Sequence, residues 1–452
     1  MDIHGSAVGE TKKRPRSLFF LPTTYKGSIA ISIFAAVFFL ISSLYMAIPA
    51  YHPAQLIVAS SLLRGRLDLG TVAAFIDGGD YDHVSRFNQD TLHFDLAWYK
   101  ERVYSPHGPL PALLIVPFTP IIEYFGLWYA ANAGFFIFFN IVNFFLLVRL
   151  GSIFVKLNDA LWMSFAFIFG SSYIGLTFFG MGSYLNHILA TTLIVAALLE
   201  YYTRRRYWMI GLLMGLTFAA RIPASLGILF FIMVITHDTF VTDALKARWG
   251  AMKLFLKRMS ALLAPFLASI TVDAVYNYLR FDSIFEIGYR YQVGVPMGYP
   301  LTTMYGLWHL IYVPQNLYLL FLKMPNLVQS ANGLLAFPYL VPDNDGMSIL
   351  LTTPFLILLL FVRKKGMTMV ALATTSLAIF ILLMFLFSPG NRQYGYRFSI
   401  DFLVYLWMMI VIGISRKDLQ LSQPMKWLIA ISALVNLYFV AVTSTLVHQF
   451  LL

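Results

Sequence analysis

Long apolar runs joined by short basic loops constrain this chain more than any other feature. A helix needs about twenty apolar residues to cross a bilayer. Runs of that order occur at 29–49, 127–148, 161–180, 185–202, 261–279, 367–387, 398–414 and 427–447, with a shorter one at 349–362. The segment 207–236 is too long for one upright helix and is interrupted at Arg221-Ile222-Pro223, which reads as a tight hairpin with Arg221 at its turn. Only 12% of the 452 residues are charged, against 59% hydrophobic, so the expected fold class is an all-α, polytopic membrane bundle rather than a soluble domain.

The net charge of +11 resides in loops beside apolar runs, where the positive-inside rule accounts for it without any nucleic-acid partner. Arg204–Arg206, the basic residues of 246–258, Arg363–Lys365 and Arg416–Lys417 all fall on the cytoplasmic side, together with the N-terminus, if 109–122 does not fully cross. That run is short and carries Pro109, Pro111, Pro117 and Pro120, which suits a re-entrant or interfacial segment. The expectation is about eleven crossings, with the C-terminus outside. The basic residues of the tail precede a run without a small-residue cleavage site, so it reads as an uncleaved first span. The chain divides into a cytoplasmic tail (1–28), a membrane module (29–279) containing an outer loop (51–108), a second outer loop (280–348) and C-terminal membrane helices (349–452). There is no cysteine, which excludes disulfides, thiolate metal sites and cysteine nucleophiles.

Both long polar stretches then face outward, away from ATP and nucleotide sugars, so a substrate there is lipid-borne or already exported. Within them, QLIVASSLLRGRL (55–67) and YGLWHLIYVPQNLYLLFL (305–322) have the spacing and aromatic content of helices lying along the interface. The segment HFDLAWYKERVYSPHGPLPALLIVPF (93–118) presses Asp95, Lys100, Glu101, Arg102 and two imidazoles against the start of a membrane segment, where polar groups are costly and often functional.

Other polar residues also sit where they are costly. Arg221 lies mid-run in TFAARIPAS. Arg397 precedes Asp401 by four residues, a spacing that makes neighbours on one helix face and could form an intramembrane pair. Arg280 and Arg290 lie just beyond a span, with Asp282 and Glu286 spaced like helical neighbours. The arginines could instead grip a lipid phosphate, since the guanidinium fork binds its oxygens in pairs. His187 follows Asn186 at an outer span end, where an imidazole can be merely interfacial. No HExxH, Walker or dinucleotide glycine pattern is present. Nor is there an internal repeat of the kind that builds many transporters.

Four local patterns together resemble the GT-C superfamily of polytopic glycosyltransferases. They are YSPHGPLPALLIVPF closing the first outer loop, GLLMGLTFAARIPA around Arg221, YNYLRFDSIFEIGY around Arg280, and YGYRFSIDFLVYL around Arg397. The resemblance implies transfer of a sugar from a polyprenyl-phosphate donor to a lipid or glycan acceptor on the outer, periplasmic face of a bacterial inner membrane. It requires no cofactor, although some members use a divalent metal ion. Many members carry an acidic residue just after the first span; here that place reads Ala50-Tyr51-His52-Pro53. The proton acceptor implied is therefore His52 or a nearby carboxylate, Asp77 or above all Asp95. Arg221, Arg280, Arg290 and Arg397 would hold the phosphate, with Lys100, Tyr104, His107 and His187 adding to the grip. The competing readings are a lipid or glycan transporter (flippase) and a glycan polymerase or ligase.

Overall fold

The computed structural model describes residues 54–71, 96–179, 182–242, 248–293, 298–387, 393–414 and 421–451. The expected first span (29–49), the tail, His52, Asp77 and Asp95 lie outside the described residues. The chain is mostly helical, and six helices among the described residues are long and apolar enough to cross a membrane. These are Trp128–Gly151, Ser183–Thr203, Pro223–Val241, Gly250–Phe281, Met367–Phe385 and Gln423–Val442.

Several expected full spans are not single long helices. The run 161–180 divides into Leu157–Phe169 and Tyr173–Phe179, with Gly170-Ser171-Ser172 between them. The run 349–362 is one short α-helix, Ile349–Thr352, followed by the 3-10 segment Pro354–Phe361. The run 398–414 begins in a 3-10 turn, Arg397–Ser399, and becomes α-helical only at Ile400–Gly413. Proline spacing explains 109–122, which forms two short α-helices, Leu110–Ile115 and Thr119–Phe125, joined by the 3-10 segment Val116–Phe118.

The segment around Arg221 runs up and back. Tyr207–Ala220 is helical, Arg221 is extended (φ −159°, ψ 107°), Pro223–Gly227 is 3-10, and Ile228–His237 is helical. Both ends return to one place: the Arg258 guanidinium lies 5.7 Å from the Tyr207 ring and donates to the Thr239 hydroxyl at 2.9 Å. The next helix, Arg248–Phe281, then runs parallel to Tyr207–Ala220. Two glycines one turn apart permit that contact. A Cβ on Gly211 would fall 1.9 Å from the Leu262 carbonyl oxygen, and one on Gly215 would fall 2.4 Å from Ser269 Oγ. Tyr207–Ala220 is thereby packed between Arg248–Phe281 and Gly182–Thr203.

A small sheet caps the end where Arg221 lies. Strands β1 (Gly70–Thr71), β2 (Leu96–Tyr99), β3 (Arg102–Tyr104) and β4 (Gln292–Val293) form an antiparallel array in the order β1-β3-β2-β4. Lys100 and Glu101 both adopt positive φ, 46° and 62°, the conformation of a tight two-residue hairpin turn. Pairing β4 with β2 joins the two long polar stretches of the sequence into one cap. The helix Ala54–Leu63, expected along the interface, instead buries Leu56, Ile57, Val58 and Ala59 in the protein. The segment 305–322 does turn apolar residues outward, with Leu310 and Leu322 about two-thirds exposed.

Candidate functional site

Below the cap lies a cavity of about 200 Å³. Its walls come from the Pro106–Pro109 turn, the start of the Gly182–Thr203 helix, the break at Arg221, the end of the Arg248–Phe281 helix, the Trp308 segment and the Arg397 turn. Each wall is held by a specific contact. Asn186 Nδ2 donates to the Ala220 carbonyl at 2.8 Å and to the Gly108 carbonyl at 3.2 Å, and its Oδ1 accepts from Gln55 Nε2 at 2.9 Å. The carbonyl left at the helix end is satisfied this way, and the Pro106–Pro109 turn is pinned beside Arg221. A Cβ on Gly108 would meet the Ala219 carbonyl oxygen at 2.3 Å, so only glycine lets the turn sit this close. On the far wall, His309 N donates to the Phe385 carbonyl and Phe387 N to the Leu307 carbonyl, fixing Trp308 against Leu386.

Arg221 is oriented on two sides. Its Nε lies 2.6 Å from each oxygen of Asp401, and its guanidinium packs 4.8 Å from the Phe398 ring. Nη2 of Arg221 is buried and, among the described residues, has no hydrogen-bond partner. The carboxylate of Asp401, 1% exposed, also has His187 Nδ1 at 3.5 Å. The i, i+4 pairing expected between Arg397 and Asp401 is therefore replaced. Arg397 stands in the 3-10 turn ahead of the helix, donates from Nη1 to the Tyr184 hydroxyl at 3.1 Å and packs 5.1 Å from Phe398. Two guanidinium groups thus pack against one phenyl ring.

The opposite wall carries Asp273, Asn277 and Arg280 on one helix face. Arg280 Nη2 donates to Asn277 Oδ1 at 2.7 Å, Asn277 Nδ2 donates to Asp273 Oδ2 at 3.2 Å, and Arg280 Nη1 donates to the Ser105 carbonyl at 2.6 Å. The Arg280 guanidinium lies 3.9 Å from the Tyr276 ring and 4.7 Å from Phe281, and its Nε is buried with no hydrogen-bond partner among the described residues. This arginine is 4% exposed, not the surface residue of a solvated loop.

Of the residues expected from sequence, Arg221, Arg280, Arg397, His107 and His187 line this cavity. Lys100, Tyr104 and Arg290 do not. Lys100 is held at the cap surface by Asp282 at 2.5 Å, with Tyr99 donating to the same carboxylate at 3.0 Å. That hydrogen bond raises the Lys100 pKa, and the two donors lower that of Asp282. Asp282 and Glu286 are not helical neighbours, because the helix ends at Phe281 and Asp282 takes a positive φ of 54°. Tyr104 is buried against the Phe281 ring, and Arg290 is exposed. The sequence reading passed over Asp273, Asn277 and the bracing role of Asn186. A carboxylate inside the apolar run 261–279 was the available signal for the first.

Among the described residues no group of three His, Cys, Asp or Glu side chains could hold a metal ion. Among the described residues, three arginines and one carboxylate line the cavity, a surplus of positive charge with the chemistry to suit an anion. Comparison with family models, with curated proteins and with solved structures gave no match.

Proposed function

We propose that the protein is a multi-pass membrane glycosyltransferase that moves a sugar from a polyprenyl-phosphate donor to a lipid or glycan acceptor on the outer face of the bacterial inner membrane. The observation that carries this reading is the convergence of Arg221, Arg280 and Arg397, from three separate parts of the chain, on one cavity. Arg221 and Arg280 each keep one buried N–H that, among the described residues, has no hydrogen-bond partner, a cost that a bound anion would offset. In the reaction, the arginines bind the phosphate and stabilise the negative charge that grows on it as the glycosidic bond breaks. An acceptor oxygen attacks the anomeric carbon from the opposite side, inverting it, while a base takes the acceptor's proton. No step needs a cofactor.

The distribution of charge supports the outer side of the membrane. Arg204, Arg205 and Arg206 lie at one end of the Gly182–Thr203 helix, and Asn186 and His187 at the other, cavity end. Lys253, Lys257 and Arg258 likewise lie at the end of Arg248–Phe281 remote from Arg280. The positive-inside rule thus supports an outer-face cavity.

Thermal stabilisation of the detergent-purified protein by undecaprenyl phosphate tests the reading, because a ligand that binds only the folded state raises the melting point by mass action. The wild type should be stabilised, and Arg221→Ala and Arg397→Ala should lose the effect. No shift in the wild type at saturating lipid would turn the assignment toward transport or polymerisation.

A further inference from the structure

Among the described residues the cavity holds one carboxylate on its lining, Asp273, and its placement is unusual for a membrane-spanning helix. Along Arg248–Phe281 the outward face is apolar: Val272, Val275 and Leu279 are all more than half exposed. Asp273 is on the opposite face and is 8% exposed. An ionisable side chain inside a spanning helix that faces an internal cavity is costly to keep and is a functional group by default. Its Oδ2 accepts from Asn277, and among the described residues Oδ1 has no hydrogen-bond partner. The relay Arg280–Asn277–Asp273 fixes the carboxylate on the same helix face as an arginine of the phosphate site. Asp401, the other carboxylate close by, is spent on Arg221 and His187.

We infer that Asp273 is the proton acceptor of this cavity, an inference that rests on the transferase reading above. In the step, Oδ1 of Asp273 takes the proton of the acceptor hydroxyl as that oxygen bonds to the anomeric carbon. The bond from the anomeric carbon to the phosphate oxygen breaks, and its electron pair leaves with the phosphate, held by Arg221 and Arg397. Arg280 acts through Asn277 as a positioning residue: it keeps Oδ2 occupied and leaves Oδ1 for the acceptor. Among the described residues, His107, His187, Arg221, Arg280, Tyr289 and Arg397 are the other titratable or charged groups that line this space.

The test measures release of undecaprenyl phosphate from undecaprenyl-phosphoryl hexoses and pentoses, with and without envelope extract as acceptor, beside the thermal shift with undecaprenyl phosphate alone. Asp273→Asn should keep the thermal shift and lose turnover by at least about 100-fold, the usual contribution of a general base. Asp273→Glu should retain measurable turnover with a displaced acid limb of its pH profile. Turnover by Asp273→Asn within about threefold of wild type would overturn the inference while leaving the transferase reading intact. Should Asp273→Asn not fold, an acid limb in Asp273→Glu identical to that of wild type would overturn it as well. Absence of both turnover and thermal shift in the wild type would instead remove the transferase reading, and this inference with it.

Discussion

Asp401 shows how much depends on single buried charges. It neutralises Arg221 at 2.6 Å and is almost wholly buried. Removing one partner of such a pair leaves an uncompensated charge and costs about 3–5 kcal/mol, whereas replacing both with apolar groups of similar volume is often neutral. We therefore expect Asp401→Ala to lower the thermal unfolding midpoint sharply. The double variant Arg221→Met with Asp401→Leu should recover most of that loss and still fail to respond to undecaprenyl phosphate. A double variant no more stable than Asp401→Ala would show that the two side chains do not act as a pair. Arg280 makes a second case. Stacked between Tyr276 and Phe281 and forked between a carbonyl and an amide, it uses features that lysine lacks. Arg280→Lys should thus weaken the response to undecaprenyl phosphate despite keeping the charge, which a titration of the melting shift would read.

At the scale of elements, the cavity exists because two parallel helices approach closely. Gly211 and Gly215 allow Tyr207–Ala220 to rest on Arg248–Phe281, and this contact sets the distance between the Arg221 wall and the Arg280 wall. Gly211→Val should force the helices apart, with a cost of about 1–3 kcal/mol from overpacking and loss of lipid-phosphate binding. Gly134 makes the comparison: it is also helical, but a Cβ there meets nothing within 4 Å. Gly134→Ala should be neutral or stabilise by roughly 0.5–1 kcal/mol, since alanine is the better helix former. Equal damage from both substitutions, measured by thermal unfolding, would refute a specific role for the helix contact. The Arg221 break is built the same way, from opposed local demands. Pro223 cannot extend the preceding helix, and Asn186 satisfies the Ala220 carbonyl at the helix end.

For the molecule as a whole, the polar cap and the cavity share one end, and the cationic loops occupy the other. The absence of cysteine makes this arrangement directly testable. Ser283→Cys, beside the cap, should react with a membrane-impermeant maleimide in intact cells. Lys257→Cys, at the opposite end of the same long helix, should react only after the membrane is opened. The reverse pattern would place the cavity on the cytoplasmic side and remove the reason for a lipid-borne donor. The outer surface fits a bilayer environment at the level of composition: Leu267, Val272, Val275 and Leu279 all point away from the protein along one helix.

What the sequence determined by itself is what hydrophobic runs and proline determine locally. The helical class, the up-and-back segment with Arg221 at its break and the shortness of the proline-punctuated helices after Gly108 all follow from residues within a few turns of one another. The hairpin of β2 and β3 was legible in principle in the alternation of LAWYKERVY, but it was hidden by the surrounding apolar runs. Tertiary structure alone decided the partners of the charges. Arg397 stands four residues before Asp401, yet the chain enters its helix only at Ile400, so the one-face geometry that spacing assumes is absent. The carboxylate goes instead to Arg221, 180 residues away in sequence. Lys100 and Arg290 looked equivalent to Arg280 as cations in outer loops. Burial separates them: Arg280 is 4% exposed, with two aromatic rings, a backbone carbonyl and an amide oxygen that offset its desolvation, whereas Lys100 and Arg290 stay exposed. Charge pairing in a low-dielectric interior is a property of packing, and sequence spacing reports it only where both groups share one regular helix.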